Sequence, residues 1–155
     1  MIPQIEKLTE EESKLIYSGP ILVTILIAGA DDNIDKNEKE KALLMANFNY
    51  QTFVFEPKIE AFYKEVSKNF MSKMTNLLNS LPPKAKERNP AISELLGQIN
   101  TIWPKLDQEF ALLYYESLKF LADTVAKASG GVLGVGKIGK EEKKWLALEM
   151  LEEPF

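Results

Sequence analysis

A continuous apolar run near the N-terminus places the strongest constraint on how this chain can fold. Residues 21–28 read ILVTILIA, with Thr24 as the one polar side chain and no polar stripe at helical spacing. A helix that is apolar on every side must be covered by protein on most of its surface. The run is also only about half as long as the roughly 20 residues that cross a bilayer. We therefore expect a buried central helix.

The residues before this run predict a helix start and then a break. Thr9 followed by Glu12 has the spacing of a capping box, so a short helix should begin at Glu10 and continue to about residue 18. Gly19 and Pro20 should break or kink that helix, because proline lacks the amide hydrogen that a helix interior uses. Pro20 suits the first turn of the central helix that follows.

Helical spacing of apolar residues continues through the rest of the chain, and no stretch alternates as a strand would. We expect helices over about 36–48, over 57–78 as one long helix, from Asn89 to about 102, over 105–129 and over 140–151. The segment 82–90, PPKAKERNP, is polar and bounded by prolines, which is typical of an exposed loop. The sequence thus predicts an all-α fold, a single domain of residues 1–155 with about seven helices. The stripe expected to face the core in 105–129 comprises Leu106, Phe110, Leu113, Ser117, Phe120, Leu121, Thr124 and Ala128, widened by Tyr114, Leu118 and Val125.

Charge and composition exclude several classes of protein. The net charge of −4 and a single arginine, Arg88, argue against a nucleic-acid partner, because phosphate contacts favour basic surfaces and guanidinium groups. The chain has no cysteine and no histidine, which removes disulfides, thiolate nucleophiles and imidazole ligands. Its N-terminal residues, MIPQIEKLTEEE, lack the pattern of a signal peptide. We expect a cytoplasmic protein without a membrane span.

Four carboxylates fall within the eight residues 31–38, shortly after the apolar run: Asp31, Asp32, Asp35 and Glu38. Asp35 and Glu38 fit the start of the next helix, where free N–H groups favour negative charge, so capping alone can account for those two. Asp31 and Asp32 precede that helix, and repulsion within the group favours a bound cation. Oxygen ligands without sulfur or imidazole indicate calcium or magnesium before zinc. An EF-hand does not fit, because Lys36 and Ala42 occupy its glycine and glutamate positions.

At this segment the sequence resembles the tellurite-resistance TerB-like family. The family's motif consists of an apolar helix followed by Ala-Asp-Gly, a hydrophobic residue two positions later and a glutamate four positions after that. Residues Ala30 to Glu38 match this motif here. The motif recurs near the C-terminus, where Ile138 matches Ile34 and Glu142 matches Glu38. Two differences are that Asp32 replaces the usual glycine and that residues 135–136, Val-Gly, stand where the second aspartate would align. The resemblance implies an all-helical domain whose two motifs meet at an acidic metal site that includes Glu142.

Two phosphate-binding patterns in the glycine-rich loop 129–140 do not have the required context. Residues 134–139 match GxGxxG, but a helix precedes them where a strand is needed. Residues 131–137 match GxxxxGK, yet Ile138 replaces the serine or threonine that would hold magnesium. The loop is interpreted as a helix connector, with Lys137 able to meet a small anion.

The first functional hypothesis is a non-enzymatic helical module that binds a divalent cation and serves a stress response or docks a partner. Its metal ligands would be Asp31, Asp35, Glu38 and Glu142, with Asp32 as an alternate, and exposed lysines and the acidic tail 149–153 would form docking surfaces. The alternative is a purely structural or self-associating helical protein without an ion. A metal-assisted hydrolase using the same carboxylates is the third hypothesis, and it requires a concave pocket beside them.

Overall fold

The computed structural model describes residues 3–29, 57–68, 70–131 and 145–155. In these ranges the secondary structure is entirely helical, which confirms the all-α prediction. They contain five α-helices. The count of about seven for the whole chain stays a prediction, because residues 30–56 and 132–144 lie outside the described ranges. The helices are α1 (Glu10–Ala28), α2 (Pro57–Ser67), α3 (Phe70–Ser80), α4 (Ala85–Gly97) and α5 (Gln108–Gly131), with 3-10 turns at Pro3–Ile5, Gln98–Thr101 and Trp103–Lys105.

Helix α1 is the centre of the described structure, as its apolar sequence predicts. Every residue from Gly19 to Ala28 is buried. Helix α5 makes the most extensive contact with α1, and α2, α3 and α4 pack around it as well. Each fully buried aliphatic side chain contributes about 1.5–3 kcal/mol to the free energy of unfolding. The capping box at its start is confirmed: Glu12 N donates to Thr9 Oγ1, and Thr9 N donates to Glu12 Oε2, both over 3.1 Å.

The sequence predicted a break or a kink at Gly19 and Pro20, and the break does not occur, because α1 runs through both residues. Pro20 cannot donate to the carbonyl of Ile16, four residues earlier. The hydroxyl of Tyr114 on α5 donates to that carbonyl instead, over 2.8 Å. Gly19 makes room for this contact, since a Cβ there would lie 2.0 Å from Tyr114 Oη. A donor from another helix thus replaces the one that proline lacks.

The expected long helix over 57–78 is two helices, α2 and α3. Apolar spacing runs unbroken across the junction, because Phe62, Val66, Phe70 and Met74 are all buried and each lies four residues after the last. Periodicity therefore gives no sign of the division. Ser67 and Asn69 flank the junction in sequence, and both residue types compete with the helix by hydrogen-bonding to nearby backbone.

The segment 82–90 is not the exposed loop that its composition suggested. Helix α4 begins at Ala85, so the predicted start at Asn89 is wrong, and Arg88 and Asn89 are buried. Pro90 lies within the helix on its exposed side. Lys86, whose carbonyl loses a helical donor to this proline, is exposed too, so water can complete that bond. The helix ends at Gly97 rather than near residue 102, and two 3-10 turns follow.

Helix α5 confirms the helix predicted over 105–129, with a partly different buried face. Asp107 Oδ2 accepts from Phe110 N over 3.0 Å at its start. The expected stripe is wrong at Phe120, which is 43% exposed, whereas Leu113 and Thr124 are half-buried and Leu113 packs against the core. The buried face is Phe110, Ala111, Tyr114, Ser117, Leu118, Leu121, Ala122, Val125 and Ala126.

The helix expected over 140–151 does not continue to its predicted end. Of its described residues, only Trp145 and Leu146 are helical, and turns follow. Leu148 has a φ of 48°, in the left-handed region, which a continuous right-handed helix cannot contain.

The buried hydroxyls of Tyr63 and Ser117 link α2 and α5 within the core. Ser117 Oγ donates to the carbonyl of Tyr114 over 2.7 Å, so its one hydrogen is used there. The Tyr63 hydroxyl must therefore be the donor in its own hydrogen bond with Ser117 Oγ. Burial raises the pKa of both Tyr63 and Tyr114 above the ordinary value, which keeps both phenols protonated as donors.

Candidate functional site

The residues predicted to bind a metal lie outside the described ranges. They are Asp31, Asp32, Asp35, Glu38 and Glu142, and the glycine-rich residues 132–140 lie outside as well. That these carboxylates lie close together at one site stays a prediction. Across the part of the chain that is described, no group of three or more aspartate and glutamate side chains has the geometry to hold a metal. What the structure does show is the end of α1, from which the acidic segment follows.

The last turn of α1 is fixed by Arg88 from α4. Gly29 ends the helix, and its N–H donates to Ile25 O over 2.8 Å. Its carbonyl accepts a hydrogen bond from Arg88 Nη2 over 2.6 Å. Asp31 is only two residues further along the chain. The acidic segment therefore begins at a point whose backbone is held by a buried guanidinium group.

Arg88 is the feature of this region that sequence reasoning missed. It is 5% exposed, and Nη1 also donates to the carbonyl of Pro83 over 3.0 Å. Gly29 permits the close approach, since a Cβ there would lie 2.7 Å from Arg88 Nη2. A planar guanidinium carries donors on separate nitrogens in a fixed fork, so Nη1 and Nη2 each reach a different carbonyl, whereas lysine has a single ammonium nitrogen. The signal in the sequence was that Arg88 is the chain's one arginine, against 18 lysines.

A small cavity lies beside this bond. It has a volume of about 30 Å³, and its lining is almost entirely apolar apart from Arg88: Thr24, Ile25, Ala28, Gly29, Met74, Leu78 and Arg88. A single water needs roughly 10–15 Å³ of such volume, so the cavity is too small for an organic substrate. Thr24, on its edge, uses its hydroxyl to donate to Pro20 O over 2.9 Å.

Two exposed carboxyls in the described ranges have a clearly lowered pKa. A hydrogen bond from the Lys105 ammonium lowers the pKa of Glu12, helped by the bond from Thr9 N. A hydrogen bond from Lys68 lowers the pKa of Glu65 in the same way. The Glu65–Lys68 pair lies within one helix turn, whereas the Glu12–Lys105 pair joins the start of α1 to the 3-10 turn at Trp103–Lys105. Both account for the lowered pKa as surface ion pairs.

None of the described helices combines the length and apolar character needed to cross a membrane. Comparison with protein-family models, characterised proteins and solved structures finds no match to this chain.

Proposed function

We propose that this chain is a non-enzymatic, TerB-like helical module that binds one divalent cation, calcium or magnesium. Its ligands are Asp31, Asp35, Glu38 and Glu142, with Asp32 as an alternate. Cation binding would order the acidic segment and present it in a stress response or to a protein partner.

The observation that supports this proposal is the anchored end of α1. The C-terminus of a helix carries roughly half a negative charge, from carbonyls without a helical donor. Asp31 is within about 8 Å of Gly29 along the chain, because two residues span no more than that. The sequence therefore places carboxylates close to an already negative helix end. Arg88 supplies one positive charge at this point, and a divalent cation would balance the rest.

Electrostatic magnitudes favour a bound ion over bare carboxylates. Two unit charges about 4 Å apart interact with roughly 4 kcal/mol at the effective dielectric of a protein surface. Four carboxylates drawn together by two converging segments would oppose folding unless a cation bridged them. Oxygen-only ligation matches calcium or magnesium.

The apolar wall around Arg88 disfavours the hydrolase alternative. Metal-assisted hydrolysis needs an open pocket that admits substrate beside the ion. The cavity at the end of α1 has a volume of about 30 Å³, and its exposed lining is almost entirely apolar. We accordingly place the function in binding rather than catalysis.

Thermal unfolding with added calcium, magnesium, manganese or zinc tests the proposal. An ion that binds only the folded state at 100 times its Kd adds about 2.7 kcal/mol to the free energy of unfolding. For a chain of this size that corresponds to a rise in Tm of roughly 5–10 °C. Asp31→Asn and Glu142→Gln should each remove most of the rise.

Glu94→Gln is the matched control, since it removes one carboxylate charge from an exposed position on α4. It should leave the cation-dependent rise unchanged. A Tm that responds to none of the four cations would instead support the structural, ion-free alternative. If Asp31→Asn, Glu142→Gln and Glu94→Gln all lost the cation-dependent rise in Tm equally, the rise would depend on net charge and not on a specific site.

A further inference from the structure

The middle of α1 has the composition of a hinge. Gly19 and Pro20 are adjacent there, and Pro20 cannot donate to the carbonyl of Ile16, so this turn lacks one helical hydrogen bond. The Thr24 hydroxyl donates to the carbonyl of Pro20 over 2.9 Å, a contact that often accompanies helix bending. Sharp helix kinks occur mainly at such residues. Gly19 and Pro20, here called the hinge, are therefore the place where α1 can bend.

Tyr114 on α5 keeps the hinge closed. Its hydroxyl donates to Ile16 O over 2.8 Å, and the residue is fully buried. The ring lies so close to α1 that a Cβ at Gly19 would be 2.0 Å from Tyr114 Oη. If Tyr114 moved away, the buried carbonyl of Ile16 would lose its donor, which is unfavourable in a core. The unbroken form of α1 therefore depends on the position of Tyr114.

Trp103 connects Tyr114 to the C-terminal residues. The two rings pack edge to face, with centroids 5.9 Å apart and planes at 69°. Trp103 is buried, and its Nε1 donates to Glu152 O over 3.1 Å and to Asn100 Oδ1 over 3.2 Å. The orientation of the indole ring, and with it the wall against which Tyr114 packs, is thus set by the segment that contains Glu152.

That segment, residues 148–152, is here called the strap, and it is bound through its main chain. Asn100 Nδ2 donates to Met150 O over 2.8 Å, and Asn100 Oδ1 accepts from Glu152 N over the same distance. A carboxamide has the donor and the acceptor of a peptide bond, so one side chain satisfies both groups. Asn100 also contacts Trp103, so docking of the strap and placement of the indole ring depend on the same residue.

The strap is the part of this network that opens most easily. Leu148 and Leu151 are its only buried residues, while Glu149 and Glu152 are exposed. Leu148 has a φ of 48°, a conformation that costs a non-glycine residue free energy. Short segments with few buried contacts open locally without unfolding of the whole protein.

We propose that the strap controls the hinge of α1. While the strap is docked, Trp103 holds Tyr114 against the carbonyl of Ile16, and α1 is continuous. When the strap is released, Tyr114 withdraws and α1 bends at Pro20. The connection runs through consecutive contacts between packed side chains, which is how coupling between distant elements is carried. A change at residues 148–152 is thereby transmitted to the central helix of the fold.

Hydrogen exchange of the wild-type chain, followed by NMR at low urea concentration, gives the first test. The amide of Leu151, which donates to Leu148 O over 2.9 Å, reports release of the strap. The amides of residues 17–19 report opening of the hinge, and those of residues 25–28 report the end of α1. We expect Leu151 and residues 17–19 to open with the same free energy, and residues 25–28 to open only with a higher one. Different opening free energies for Leu151 and residues 17–19 would overturn the proposal.

A variant that leaves the contacts of the strap intact gives the second test, because coupling is reciprocal. Tyr114→Phe removes only the hydroxyl that closes the hinge, and it should speed exchange at Leu151 about fivefold or more. Ile59→Val is the matched control, since it removes one methylene group from a buried position on α2 and should leave exchange at Leu151 unchanged.

Two outcomes of the second test contradict the proposal. An unchanged rate at Leu151 in folded Tyr114→Phe would show that the strap opens independently of the hinge. Equal acceleration by Tyr114→Phe and Ile59→Val would show that Leu151 exchanges only when the whole protein unfolds. If Tyr114→Phe does not fold, the comparison of opening free energies in the wild-type chain decides.

Discussion

The hydroxyl of Tyr114 donates to the carbonyl of Ile16 over 2.8 Å, and this bond joins the two longest described helices. Ile16 is the residue whose helical donor is lost at Pro20. The proline within α1 and the tyrosine on α5 are therefore parts of one arrangement, in which a tertiary contact completes a helix.

Removing the Tyr114 hydroxyl should leave a buried carbonyl without a donor. We expect Tyr114→Phe to lower the free energy of unfolding by about 1–3 kcal/mol. Pro20→Ala restores the amide hydrogen and should recover part of that loss when it is combined with Tyr114→Phe. Urea unfolding of the four chains in this double-mutant cycle measures the coupling. Equal effects of Pro20→Ala with and without the tyrosine hydroxyl would mean that the two sites are independent.

The space above Gly19 gives a second prediction. Gly19→Ala places a Cβ 2.0 Å from Tyr114 Oη, which forces the ring or the helix to move. Such overpacking costs about 1–3 kcal/mol, despite the better helix propensity of alanine. Gly97→Ala is the matched control, because its nearest neighbour would be Met150 O at 3.9 Å. It should be neutral or stabilising in the same urea experiment, and equal destabilisation by both would contradict this explanation.

Arg88 should be irreplaceable by lysine. Arg88→Lys keeps the positive charge but replaces the two nitrogens that reach Gly29 O and Pro83 O with a single ammonium nitrogen, and hydrogen bonds of charged groups contribute about 1.5–3 kcal/mol each. We expect a loss of that size in the free energy of unfolding. Lys86→Ala, at an exposed position two residues away, should stay within about 0.5 kcal/mol of wild type. If Arg88→Lys lowered the free energy of unfolding as little as Lys86→Ala, the hydrogen bonds of Arg88 would not be what anchors the end of α1.

The capping box links stability to pH. The pKa of Glu12 is lowered in the folded protein, chiefly by the hydrogen bond from Lys105 and then by that from Thr9 N. A lowered folded pKa stabilises the protein above the unfolded pKa, and that stabilisation disappears as pH falls through the folded value. Glu12→Gln should therefore reduce the Tm at about pH 7 and have a much smaller effect at about pH 2. The control Glu94→Gln should show little change at either pH, and a Glu12→Gln effect that stayed constant with pH would exclude the charge as its cause.

The sequence correctly predicted helical secondary structure, the burial of residues 21–28 and the capping box of Thr9 and Glu12. Each of these depends on residues that are close together in the chain. It failed where distant residues decide the outcome. Pro20 indicated a break, but the compensating hydroxyl comes from position 114. Arg88 looked exposed in a polar segment, and its partner Gly29 lies 59 residues earlier.

Other errors arose where local patterns are ambiguous. The apolar period from Phe62 to Met74 is the same whether one helix or two carries it. Phe120 and Leu121 are adjacent, so the stripe could have followed either, and Leu121 is the one that the core buries. The metal ligands remain a prediction from charge grouping and family resemblance, since their positions lie outside the described residues.

The most direct measurement of the central claim is the paramagnetic broadening of backbone amide NMR signals by manganese, which substitutes for calcium or magnesium at oxygen sites. The proposal requires one ion to lie close to two segments about a hundred residues apart. We predict that substoichiometric manganese selectively broadens the amides of residues 31–38 together with those around Glu142, and that excess magnesium reverses it. Broadening confined to the acidic tail 149–153, or broadening at 31–38 without Glu142, would contradict a shared site.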